Sequence, residues 1–126
     1  MKNESIWGHI LPSDLLTYFT IEEVKEVDAE DGTKDIDIHL EEKNTLPSGY
    51  AKDEYESKGF FNPKRIQDFP IRGRAVYLIV KRRRWRHKQT KEEIRSDYNF
   101  IAAGAKLTEE LSDFLKGTGR DPRRYD

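Results

Sequence analysis

The chain has 126 residues, 35% of them hydrophobic and 37% charged, with 23 Lys and Arg against 24 Asp and Glu and no cysteine. That length suits one small domain with a shallow core, and the lack of cysteine excludes disulfides, a cysteine nucleophile and thiolate zinc sites. The net charge of −1 hides a division: residues 1–57 carry 15 acidic and 5 basic side chains, whereas residues 58–126 carry 9 and 18. One surface is therefore expected to meet a polyanion, and another to repel it or meet a basic partner.

Met1 to Trp7 lacks the apolar run of a signal peptide, and no stretch approaches the ~18 apolar residues of a membrane span, so a cytoplasmic protein is expected. Leu11-Pro12-Ser13-Asp14 opens a short helix that buries Leu15, Leu16 and Phe19 and ends near Phe19. Thr20 to Ala29 reads as a strand, and Glu30-Asp31-Gly32-Thr33 as its turn. Ile36, Ile38 and Leu40 alternate with Asp37, His39 and Glu41, the two-residue period of a half-buried strand, which completes an acidic hairpin.

Residues 42–57, with Pro47, Gly49 and mixed charge without periodicity, read as a loop. Lys58–Asn62, Ile66–Ile71 and Arg74–Arg86 read as three further strands, the last two joined by a tight turn at Arg72-Gly73. Ala75 to Val80 is apolar on both faces, as a central strand would be. Leu107, Leu111, Phe114 and Leu115 fall on one face of a helix from Lys106 to Lys116, capped by Thr108, with glutamates in its first turn.

The strongest chemical signal is Lys81-Arg82-Arg83-Arg84-Trp85-Arg86-His87-Lys88. Arginine forks grip phosphate oxygens at two points, and an interleaved aromatic stacks on a sugar or base, so the run is a candidate phosphate-tracking strand end. In an extended ribbon Arg82, Arg84 and Arg86 face one way, with Lys81, Arg83 and Trp85 facing the other. The competing reading is a run paired with the acidic hairpin, with Trp85 in the core. Lys64, Arg65, Arg72 and Arg74 flank the same strands and extend the basic face. His9, His39 and His87 stand singly without metal-ligand spacing, and the carboxylates lie in acidic runs away from any nucleophile. Neither G-x-x-x-x-G-K-S/T nor G-x-S-x-G occurs. No catalytic residue, metal site, cofactor or small-molecule substrate is expected, and the chain is read as a non-enzyme.

Glu56 to Phe61, followed by Asp68-Phe69-Pro70, Gly73, Val76, Leu78 and Arg83-Arg84-Trp85, resembles the N-terminal region of bacterial insertion-sequence transposases. In those proteins a stretch of the form D-(L/F)-P-x-x-G-x-x-V-x-L-x-x-x-x-R-R-(F/W) leads out of a zinc ribbon. The length is similar to that of the small proteins encoded as the first frame of two-frame elements. Where the relatives carry cysteine pairs, this chain has Leu46-Pro47-Ser48-Gly49 and His87 to Thr90, so packing must replace the metal. The resemblance implies recognition of the element's terminal inverted repeats on double-stranded DNA. It also implies a separately encoded catalytic transposase subunit, the downstream-frame protein, to cut and join the strands.

The expected fold is α+β: a small antiparallel sheet, made of the acidic hairpin and metal-free ribbon-like strands, with a short N-terminal helix and a C-terminal amphipathic helix. Its parts are an acidic helix plus hairpin (1–43), a connecting loop (44–57), a basic ribbon-like sheet (58–105) and a C-terminal helix with tail (106–126), forming one compact domain over 6–117. The expected DNA contacts are Arg82, Arg83, Arg84, Trp85 (wedge or core anchor), Arg86, Lys88, Arg72, Arg74, Lys64 and Arg65. The alternatives are a protein–protein module that docks the catalytic partner without touching DNA, and an inactive mobile-element remnant.

Overall fold

Helix α1 (Ser13–Tyr18) runs without a break into strand β1 (Phe19–Asp28), so the helix ends where the chain turns extended to pair with β2 (Lys34–Glu42). The computed structural model describes residues 11, 13–47, 49–96, 98 and 108–116. Along β2, Ile36, Ile38 and Leu40 are buried while Asp35, Asp37, His39 and Glu41 stay half-buried on the opposite face, as a one-sided sheet requires. The antiparallel register of β1 on β2 shifts between Ile21 and Glu23. This irregularity lets Phe19 and Ile21 enter the core first and returns Val24 to the same face opposite Ile38. The hairpin closes through Asp31, whose Oδ1 accepts hydrogen bonds from the Thr33 N–H (3.1 Å) and hydroxyl (2.6 Å).

Strands β3 (Tyr55–Phe60), β4 (Lys64–Gln67), β5 (Val76–Lys81), β6 (Arg83–His87) and β7 (Glu93–Ile94) divide between two sheets. The larger has the order β1-β2-β5-β4 and the smaller β3-β6-β7. The fold is α+β with mostly antiparallel strands and a helix near each end, as the sequence led one to expect. Among the described residues the one parallel pair, β2 beside β5, aligns Ile36 with Val76 and Leu40 with Val80. The acidic hairpin and the basic half are thus neighbours in one sheet, and the boundary near residue 57 separates charge but not structure.

Asp68 and Arg74 bracket the β4–β5 connection, where Ile71 and Arg74 exchange backbone hydrogen bonds around Arg72 (φ 50°) and Gly73 (φ 81°). Both central residues are left-handed, the geometry that suits a two-residue hairpin turn. The expected long strand Arg74–Arg86 is broken at Arg82. Up to Val80 its neighbours are β2 and β4; from Arg83 it pairs with β3 instead. Phe61 N–H donates to the Arg82 carbonyl at the changeover (2.9 Å).

Thr108 caps α2 (Glu109–Lys116) by accepting the Leu111 N–H (3.3 Å), and Glu109 and Glu110 sit favourably in the first turn. The expected start at Lys106 and Leu107 lies outside the described residues. Leu111 and Leu115 join Leu11, Leu15 and Tyr98 over Phe19, Ile38, Leu40, Ile66, Leu78 and Val80. That core draws on both charge halves, and each fully buried aliphatic side chain in it contributes about 1.5–3 kcal/mol. Among the described residues no helix is long and apolar enough to cross a membrane.

Candidate functional site

Arg82 continues the inward parity of Val76, Leu78 and Val80, which carries its guanidinium into the core, where it is 2% exposed. Its Nε donates to Glu42 Oε1 (3.3 Å), its Nη1 to the Phe114 carbonyl (3.2 Å) and its Nη2 to the Ser96 carbonyl. Tyr98 and Phe114 rings flank it at 5.1 and 5.5 Å. Glu42, equally buried, also accepts the Arg83 N–H (2.8 Å) and the Tyr98 hydroxyl. Burial, then the Glu42 carboxylate, pushes the Tyr98 phenol up, which keeps it a donor. Two charges taken from water cost several kcal/mol each, so this pair persists because its main hydrogen-bonding directions are filled.

The next residues are engaged as well. Arg83 donates to the Glu42 carbonyl (3.2 Å) and Ser57 Oγ (2.8 Å), lies 3.8 Å from Glu41 and stacks on Phe60 at 4.5 Å. Trp85 is 1% exposed and donates its Nε1–H to Asn44 Oδ1 (2.9 Å). Of the two roles open to it, wedge or core anchor, it has the second. Arg84 and Arg86 share the outer face of the small sheet with Glu93 and Glu56, at 3.7 and 3.4 Å. Arg84 also donates to the Lys58 carbonyl (3.1 Å).

The expectation that Arg82, Arg83, Arg84 and Arg86 gather as phosphate or groove contacts at a ribbon's tip is therefore corrected for Arg82, which the core encloses. Arg82 and Trp85 are interior, Arg83 joins Glu42 of β2 to Ser57 of β3 at the junction between the sheets, and Arg84 and Arg86 lie on the outer face of the small sheet beside Glu93 and Glu56. The physical reason is long-range pairing. Arg65–Asp37, Arg74–Glu26, Arg82–Glu42, Arg83–Glu41 and Arg86–Glu56 each join the basic half to the acidic half, so the charge asymmetry is in large part an internal complement.

Lys64, Arg72 and Lys88 are exposed, and none of them makes an ion pair among the described residues. Arg65 is half-exposed, stacked on Tyr77 at 3.7 Å and 2.9 Å from Asp37, while Arg74 reaches Glu26 at 2.8 Å. Such surface pairs are worth ~0–1 kcal/mol, little enough for a phosphate to compete. Three residues before Arg72, Phe69 is 55% exposed, more than Tyr50 at 42%. Phe69 is not among the expected contacts: the sequence placed it in a strand Ile66–Ile71, whereas β4 ends at Gln67 and leaves it outside the sheet.

Asp68 starts this turn with its carboxyl buried and Oδ1 without a hydrogen-bond partner. Burial pushes its pKa up, against a smaller opposing pull from the Phe69 N–H. A carboxyl raised in the fold stabilises it when protonated; that contribution is full below the unfolded value of ~3.9 and lost as pH rises through the folded one. Asp68→Asn is therefore expected to be about 1 kcal/mol more stable than wild type at pH 7, with the gain gone by about pH 3. Urea unfolding at both pH values checks this, and a difference independent of pH would clear the carboxyl of responsibility.

Among the described residues no group of three His, Cys, Asp or Glu side chains is placed to hold a metal ion. Compared with protein-family models, curated proteins and solved structures, the chain matches none, so its function is argued from its own residues.

Proposed function

We propose that the chain is the non-catalytic N-terminal component of a two-frame insertion-sequence transposase, binding DNA at the element's ends and positioning it for a separately encoded catalytic subunit. One observation carries the reading. Within the stretch Asp68–Trp85 that resembles such proteins, Val76, Leu78, Arg82 and Trp85 have a structural explanation, because the core uses them. Phe69 and Arg72 have none: both are presented on an outward turn. A projecting turn with an apolar ring and an uncommitted guanidinium suits a groove edge, the ring against sugar or base and the guanidinium against phosphate. Arg74, Lys64, Arg65 and Lys88 add sequence-independent attraction. A cytoplasmic location goes with this role.

The test is titration of labelled duplex carrying a terminal inverted repeat, at low and moderate salt. Arg72→Gly removes the charge while easing a left-handed backbone, so the fold should not suffer. It is expected to weaken binding and to lower the salt slope by roughly 1. Phe69→Ala should weaken binding roughly tenfold with an unchanged melting temperature. If both variants bind as wild type does, the turn is not the interface.

The internal pairing of Arg82 to Arg86 favours a second reading, a module that docks the catalytic subunit without touching DNA. Capture of the downstream-frame protein by a chain that binds no duplex would select it.

A further inference from the structure

The loop from Lys43 to Glu54 lies against β3 and β6, leaving a groove of about 500 Å³, within the ~300–1,000 Å³ range of small-molecule sites. Tyr50 and Tyr55 wall it, their rings meeting edge to face at 5.3 Å, and Trp85 closes its floor. Tyr55 is itself braced edge-on by His87 at 5.0 Å. Tyr50 is 42% exposed, an aromatic that the core does not account for.

Three polar side chains of the lining, Asn44, Lys52 and Ser57, are able to donate. Asn44 spends its Oδ1 on Trp85, which leaves its amide N–H groups to donate. Ser57 accepts from Arg83 through Oγ, which leaves its hydroxyl proton to donate. Lys52 makes no ion pair among the described residues. Asp53, Glu54 and Glu56 belong to the same stretch of chain, yet no carboxylate lines the groove. Aromatic faces, donors and a cation without an acid call for a ligand that is planar, rich in acceptors and anionic.

We infer that this groove binds one unpaired nucleotide, with its base against Tyr50 and Tyr55, its acceptor atoms toward Asn44 and Ser57, and its phosphate at Lys52. A paired base has both faces covered by its neighbours, so only a nucleotide out of the duplex can enter. The inference rests on the DNA reading above for its source, a frayed or single-stranded end. A free mononucleotide shares the chemistry, and the experiment separates the two.

The full chain is titrated with a blunt duplex, with the same duplex bearing an unpaired 3′ extension, and with thymidine and adenosine monophosphates followed by tyrosine-ring NMR shifts. Binding of the extended duplex roughly tenfold tighter than the blunt one, with that margin lost in Tyr50→Ala and Lys52→Ala, supports the strand source. Both variants change exposed side chains, and their melting temperatures should match wild type. No margin, but a saturable mononucleotide shift lost in Tyr50→Ala, supports the groove as a free-nucleotide site. Absence of both the margin and the shift, or a Tyr50→Ala protein that keeps them, overturns the inference. Binding of the blunt duplex bears only on the DNA reading, so the two can fail separately.

Discussion

Replacing Arg82 with alanine is expected to cost about 3–5 kcal/mol of folding stability, a large share of the ~5–15 kcal/mol that holds a small domain together. The reason is what it leaves behind: Glu42, 2% exposed, loses its guanidinium partner, and the Ser96 and Phe114 carbonyls lose their donor. Glu42→Ala is expected to be as severe, because it strands Arg82, the Tyr98 hydroxyl and the Arg83 N–H together. The double variant should be far less harmful than the sum of the two, since it removes both charges at once. Urea unfolding of the three variants measures this. A loss under about 1 kcal/mol in Arg82→Ala would refute the buried-pair account. An alanine triple at Arg82, Arg84 and Arg86 therefore reports on folding before it reports on DNA, which is why Arg72 and Phe69 carry the interface test.

Trp85→Ala is expected to cost about 3–5 kcal/mol, the usual range for emptying a buried large aromatic position. Trp85→Phe should cost far less, about 1 kcal/mol for the lost hydrogen bond to Asn44 together with a smaller ring. The contrast tests what closes the small sheet in a chain that has no cysteine. Trp85 pairs with Ser57 on one side and Ile94 on the other, and Asn44 ties it to the loop that follows β2. The edge-to-face contact of Tyr55 with His87 joins the start of β3 to the end of β6. Thermal melts of both variants decide the matter, and equal losses in Ala and Phe would mean that the hydrogen bond, not the ring volume, closes the sheet.

Much of the local structure was legible from the residues alone. The period of Ile36, Ile38 and Leu40 named the buried face of β2, Thr108 with Leu111 and Leu115 marked a capped helix, and Arg72-Gly73 marked a turn. The candidate site was less legible. Six permanent cations in eight residues signal a polyanion contact only if nothing nearer answers them, and for the four arginines among them Glu42, Glu41, Glu93 and Glu56 do. Tyr50 and Tyr55 stand in a stretch without period, so their meeting over Trp85 left no trace in the pattern.

Side-chain spacing determined which face of each element is apolar and where the chain must turn, because those follow from backbone geometry within a few residues. Which strands adjoin, where Val80 hands over to Arg83, and which carboxylate meets which guanidinium were decided only in three dimensions. A charge's worth depends on the solvent and partners around it, and the parallel seating of β2 on β5 sets both for the arginines that follow Lys81.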